Sequence, residues 1–115
     1  MRTFDQILQD SKTQPALILK YMPRHPESEA IKKSLEKSWT IPDDQLKVYL
    51  LDVNNKSISN EITQLAGVEN HYPQILLFAD GVTMYDESYD LINIKKIVIA
   101  LKIINRTFRW METRV

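Results

Sequence analysis

The stretch that most constrains the fold is ALILKYMPRHPESEAIKKSLEK, residues 16–37. It opens with a continuous apolar run that ends in Lys20 and Tyr21, with Pro15 before it and Pro23 after it. A run that short between prolines suits a strand buried on both faces. A helix signature follows. Pro26 fits the first helical position, where its missing N–H would have no partner in any case. Glu27 and Glu29 set negative charge against the positive end of the helix dipole. Ile31, Leu35 and Trp39 recur at i, i+4, i+8, and Pro42 follows the end. The spacing predicts strand, tight turn, helix, with His25 at the helix N-terminus. A turn of this kind is a common place for a reactive residue. Here the residue is a histidine, in a chain with no cysteine.

The rest of the chain extends this alternation. Phe4, Ile7, Leu8 and Ser11 share one helical face, and Thr3 with Gln6 matches a capping box. KVYLLDV, residues 47–53, reads as a second buried strand. Ser57 can cap a helix whose apolar side is Ile58, Ile62, Leu65 and Ala66, with Gly67 as its left-handed C-terminal residue. Two strand-like runs flank Asp80-Gly81, a strong hairpin signal. Ile94, Ile97, Val98, Leu101 and Ile104 mark a closing helix, capped by Asn93 or Asp90, and Ile99 and Ile103 lie off its main stripe. The order α, β, α, β, α, hairpin, α predicts an α/β protein on the thioredoxin plan. Its four-stranded mixed sheet has helices on both faces, a right-handed crossover between parallel strands, and antiparallel pairing in the hairpin alone. One domain is expected over residues 1–105, with a C-terminal extension at 106–115. There are no internal repeats, low-complexity tracts or linkers.

Composition narrows the function. Fifteen basic and fifteen acidic side chains cancel, so nothing favours nucleic-acid binding, which calls for a basic excess or face. Without cysteine there is no disulfide, thiolate metal site or thiol chemistry. The two histidines, His25 and His71, have no carboxylate at ligand spacing, so neither a metal nor a cofactor is expected. The N-terminus is too polar for a secretory signal. LINIKKIVIALKII, residues 91–104, is interrupted by three lysines and is shorter than the ~20 residues that span a bilayer. A soluble cytoplasmic protein without a membrane role is expected.

The motifs ALILKYMPRHPES, VYLLDV, SISNEITQLAGV and HYPQILLFADG resemble the monothiol bacilliredoxins of the YtxJ type, thioredoxin-fold proteins of bacillithiol-using bacteria. The resemblance runs from about residue 3 to residue 100. The family pattern after the first strand is close to K-H-S-x-x-C-P-x-S. Lys20, Pro26 and Ser28 match it, and His25 stands at the cysteine position. Tyr72 stands where the family has a serine before its Pro-Gln, here Pro73-Gln74. The resemblance implies that Pro73 is the cis proline beside the active-site turn, turning the backbone of Tyr72 toward a groove. Such backbone can pair with an extended peptide or a thiol-peptide ligand.

Imidazole has no sulfur with which to form a mixed disulfide, so His25 cannot take over disulfide exchange. The helix dipole favours its neutral ring. Two readings of His25 stay open: a surface residue capping the helix, or a hydrogen-bonding group or general base at a groove. Arg24 can hold an anionic ligand or simply be solvated. Tyr21, Tyr72 and Tyr85 can line the groove or finish the core, and Asp52 ends its strand. The candidate binding groove is therefore Tyr21, Arg24, His25, Tyr72 and Pro73, with no catalytic residue assigned. The expected function is redox-inactive binding of a peptide, a protein or a low-molecular-weight thiol. One alternative is a non-redox enzyme using His25 or Tyr72. Another is a structural module or homodimer formed through the apolar closing helix, whose excess apolar surface, with Phe108 and Trp110 beyond it, would pack on the first helix or on a second subunit.

Overall fold

The computed structural model describes residues 4–54, 60–62, 64, 66–68 and 71–108. Thr3, Ser57, Ile58, Leu65 and Trp110, each named above, lie outside the described residues, as do residues 109–115 of the expected extension.

Helix α1 (Phe4–Asp10) precedes strand β1 (Ala16–Tyr21), helix α2 (Pro26–Ser38) and strand β2 (Lys47–Asp52). Positions 60–62, 64 and 66 are helical. Strands β3 (Gln74–Ala79) and β4 (Val82–Ser88) form a hairpin, a 3-10 turn covers Tyr89–Leu91, and helix α3 runs Ile94–Thr107. The strand order is β2-β1-β3-β4. The four-stranded mixed sheet with helices on both faces is the architecture expected from the alternation.

One pairing differs from expectation. β1 and β2 are parallel, but β3 runs antiparallel to β1 as well as to β4. Tyr21 lies opposite Asp52 at the end of β2, and Lys20 lies opposite Gln74 at the start of β3. Residues 53–73 therefore leave and re-enter the sheet at the same end, which forces β3 to run the other way. Local periodicity carries no information about strand direction.

Alternation along the strands divides the core. Leu17, Leu19, Ile75 and Leu77 face α2 and α3, where Leu35, Ile97, Leu101 and Ile104 are buried. Ala16, Ile18, Leu76 and Phe78 face α1, with Phe4, Ile7 and Ile62. Phe4 and Phe78 meet edge-on, centroids 5.7 Å apart. Burying each large apolar side chain contributes about 1.5–3 kcal/mol. α1 and α3 thus lie on opposite faces, so the first helix does not cover the apolar excess of the closing helix. Ile99 and Ile103 stay 58% exposed, while Phe108 packs half-buried against the α2–α3 core.

The hairpin turn is anchored from outside. Ser11, fully buried at the end of α1, accepts from the Gly81 N–H through its hydroxyl at 2.8 Å, and its carbonyl accepts from the Asp80 N–H at 2.7 Å. Asn93 caps α3, accepting from the Lys96 N–H at 2.9 Å. No helix among the described residues is long and apolar enough to cross a membrane.

Candidate functional site

The register brings three segments to the same end of the sheet. The turn from β1 into α2 leaves after Tyr21. The bend at 71–73 arrives just before Gln74. The 3-10 turn follows Ser88, which lies opposite Gln74 on β4.

The first segment is a tight turn in which the His25 N–H donates to the Met22 carbonyl at 3.2 Å. Pro23 occupies its second position, and Arg24 its third with φ 67°. That is the pattern of a type II turn, where glycine or asparagine is the usual residue at positive φ. An L side chain there costs roughly 1–2 kcal/mol. Arg24 is exposed.

His25 then caps α2. Its Nδ1 accepts from the Ser28 backbone N–H at 3.3 Å and lies 3.2 Å from the Ser28 hydroxyl. Ser28 is fully buried. An Nδ1 that accepts the cap bond keeps its lone pair, so the ring proton sits on Nε2. The capping reading of His25 describes its local bonding, and the nitrogen left for a ligand is a donor.

The second segment carries Tyr72 and Pro73, joined by a cis peptide bond. The Tyr72 ring meets the His25 ring edge-on, at 5.9 Å between centroids and 81° between planes. Tyr72 is 37% exposed, whereas Pro73 is buried. Tyr21, at the end of β1, has the Lys32 ammonium 5.5 Å from its ring centroid, and Lys32 pairs with Glu36 at 2.9 Å. Tyr85 packs against the α2–α3 core and finishes it. Burial, with the Glu87 carboxylate beside it, pushes its phenol up to about 12. Asp52 ends β2 and accepts from the Asn54 N–H at 2.8 Å.

The third segment braces the second. The Tyr89 N–H donates to the Pro73 carbonyl at 3.0 Å. His71 Nδ1 lies 2.8 Å from the Ser88 hydroxyl, and its ring is tilted against that of Tyr89 at 5.2 Å. Tyr89 also holds positive φ, 57°. Left-handed non-glycine residues are infrequent and gather at functional sites. Here two of them, Arg24 and Tyr89, flank one bend.

The sequence reading did not single out Lys20 and Gln74 as a pair. Lys20 is 1% exposed, and its ammonium donates to Gln74 Oε1 at 3.2 Å. The same oxygen accepts from the His71 N–H at 3.4 Å. Burial lowers the Lys20 ammonium to about 8. The two residues sit one position inside Tyr21 and Pro73, so the pair ties together the roots of both site segments. Its signal in the sequence was a polar residue ending one apolar strand and another beginning the next. Among the described residues, no three His, Asp or Glu side chains gather as a metal ion would require.

The chain is similar to several solved structures. One is a protein with a thioredoxin fold, at TM-score 0.68 and 21% identity, covering 87% of this chain and 89% of that one. A second is the thioredoxin Mala s 13 of Malassezia sympodialis, at TM-score 0.66 and 19% identity, covering 89% and 85%. A third is thioredoxin O2 of Arabidopsis thaliana in the oxidized state, at TM-score 0.56 and 21% identity, covering 91% and 85%. At these identities the likeness is one of fold. No curated protein matches the chain. The family model of the monothiol bacilliredoxin BrxC matches residues 1–97, and with that span the chain belongs to the monothiol bacilliredoxin family.

Proposed function

We propose that this protein is a redox-inactive bacilliredoxin-fold binding domain. It holds a peptide, a protein segment or a low-molecular-weight thiol at the groove between Arg24-His25 and Tyr72-Pro73. The carrying observation is the direct approach of His25 to Tyr72 at the family's reactive position, in a chain with no cysteine. Disulfide exchange requires a sulfur nucleophile, and this end of the sheet supplies an imidazole, a phenol and a guanidinium instead. An anionic or hydrogen-bond-accepting ligand suits them, since the donors offered are the His25 Nε2–H, the Tyr72 hydroxyl and Arg24.

The test pairs turnover with binding. The protein should reduce neither a bacillithiol-modified peptide nor insulin above a blank, yet bind the modified peptide with an affinity that falls about tenfold in His25→Ala. Turnover by the unaltered chain would overturn the proposal, as would binding unchanged by His25→Ala. With Nδ1 on the helix cap, His25 offers a ligand its Nε2–H, a donor and not a base.

A second reading, self-association through α3, draws on exposed Ile99 and Ile103. These lie among Lys95, Lys96, Lys102 and Arg106 on a helix with no acidic residue. A monomer mass that does not change with concentration in light scattering would remove self-association.

A further inference from the structure

Among the described residues the sheet has two edge strands, β2 and β4, and they are not alike. β4 is guarded against pairing. Its register on β3 slips between Tyr85 and Thr83, and it carries Asp86 and Glu87 side by side. Bulges and charges of this kind keep an edge strand from joining another. β2 has neither in its middle. Its register on β1 runs unbroken from Lys47 to Asp52, and Val48-Tyr49-Leu50-Leu51 between those ends holds no charge, glycine or proline. Val48 and Leu50 are 43% and 49% exposed, and with Leu17, Leu19, Leu35 and Trp39 they line an apolar trough beside α2. The Lys47 N–H donates to the Pro15 carbonyl, and the Val53 N–H to the Tyr21 carbonyl. The odd-numbered residues of β2 thus turn their backbone groups to β1, while Val48 and Leu50 turn theirs to the open edge.

We propose that this edge joins the same edge of a second copy of the chain, across a two-fold axis normal to the sheet, making one continuous sheet of both. Such an axis sets the two β2 strands antiparallel, with facing residues on the same side of the sheet. Facing residue numbers then sum to an even value, and the pairs that exchange hydrogen bonds come from Val48 and Leu50. Centred on Tyr49, the register places Val48 against Leu50 of the second copy and Leu50 against its Val48. The outward backbone groups of both residues find partners, and the exposed apolar side chains cover one another. Centred on Leu50 instead, the register would place Val48 against Asp52. Charge permits the approach, because the rim is mixed in sign. Lys32, paired with Glu36, borders the trough with Asp43, and Asp44 and Lys47 border the depression beside it. The other exposed apolar face, on α3, carries Lys95, Lys96, Lys102 and Arg106 with no acidic residue, and like charges repel a second copy. The contact needs no ligand at His25.

Because the chain has no cysteine, single engineered thiols report the register without background. Facing residues of a hydrogen-bonded antiparallel pair have Cα atoms about 5.5 Å apart, within disulfide range, whereas Val48 would lie roughly 7–8 Å from its own copy. In an equal mixture of Val48→Cys and Leu50→Cys chains, the mixed disulfide should exceed either symmetric one by about tenfold. An excess of only about twofold, as random pairing gives, would overturn the proposal. The unaltered chain should rise in mass toward a dimer with concentration in light scattering. Leu50→Lys, at an exposed position, should return it to a monomer, and Ile99→Lys should not. A monomer mass at every concentration would overturn the proposal and leave the edge to another occupant. A dimer that survives Leu50→Lys would overturn it too.

Discussion

The sheet has a tight turn at either end, and the two are built differently. At one end Asp80-Gly81 joins β3 to β4, with both residues at positive φ, 53° and 77°. Asp and Gly are residues that a two-residue hairpin turn of this kind favours, and Ser11 accepts both of their N–H groups. At the other end Pro23-Arg24 joins β1 to α2. The proline suits its position, but the residue at φ 67° is arginine. Where residue and conformation agree, the turn is a connector. Where they disagree, surrounding structure must hold the turn in place, and at this end it does. His25 caps the helix behind the turn, Tyr72 packs against the His25 ring, and Lys20 and Gln74 join the strands beneath. The strained end is also the end that carries the candidate groove.

The largest expected effect on this contrast is pH-dependent and arises at the Lys20 end. The folded Lys20 ammonium titrates near about 8, against 10.5 in its ordinary state. Between those values the unfolded chain holds a proton that the folded chain has released, so stability rises with pH, by up to about 3 kcal/mol. Tyr85 acts in the opposite sense. Its phenol stays protonated in the fold up to about 12, against 10.0 ordinarily, so stability falls above pH 10. Denaturant titrations in a Tyr85→Phe background should therefore show the rise alone, and Lys20→Met should flatten it. A flat profile with Lys20 intact would break the assignment of a buried charge to this end.

Next in size is the hairpin. A Cβ at Gly81 meets nothing nearer than Lys12 Cε at 4.0 Å, so Gly81→Ala isolates the backbone cost. A loss of about 1 kcal/mol is expected, read from the denaturant midpoint. His25→Ala should cost about 0.5–1 kcal/mol through the lost cap, whereas His25→Asp, a stronger cap at the positive end of the dipole, should cost nothing. Smallest is Arg24→Gly, which should gain about 0.5 kcal/mol as the left-handed strain is relieved. If Arg24→Gly destabilised as much as Gly81→Ala, the two turns would not differ as described.

The same contrast explains what the sequence disclosed. Asp80-Gly81, Pro26 and the apolar period of α3 are local signals, and each is where it was expected. The His25 cap was legible because a helix N-terminus has a local grammar of its own. The direction of β3 was not legible, since an apolar run reads the same in either sense. The left-handed conformations of Arg24 and Tyr89 were hidden because neither residue type advertises positive φ. The contact of Lys20 with Gln74 joins residues far apart in sequence, and no period announces it. The meeting of His25 with Tyr72 was anticipated only through a resemblance that placed them on two sides of one groove.

The most direct measurement is a chemical-shift titration of the full chain with a bacillithiol-modified peptide. Perturbations should cluster at Tyr21, Arg24, His25 and Tyr72 and saturate, with the peptide's disulfide intact at the end. Shifts confined to other surfaces, no saturable shifts, or release of free bacillithiol would contradict a binding groove at a redox-silent turn.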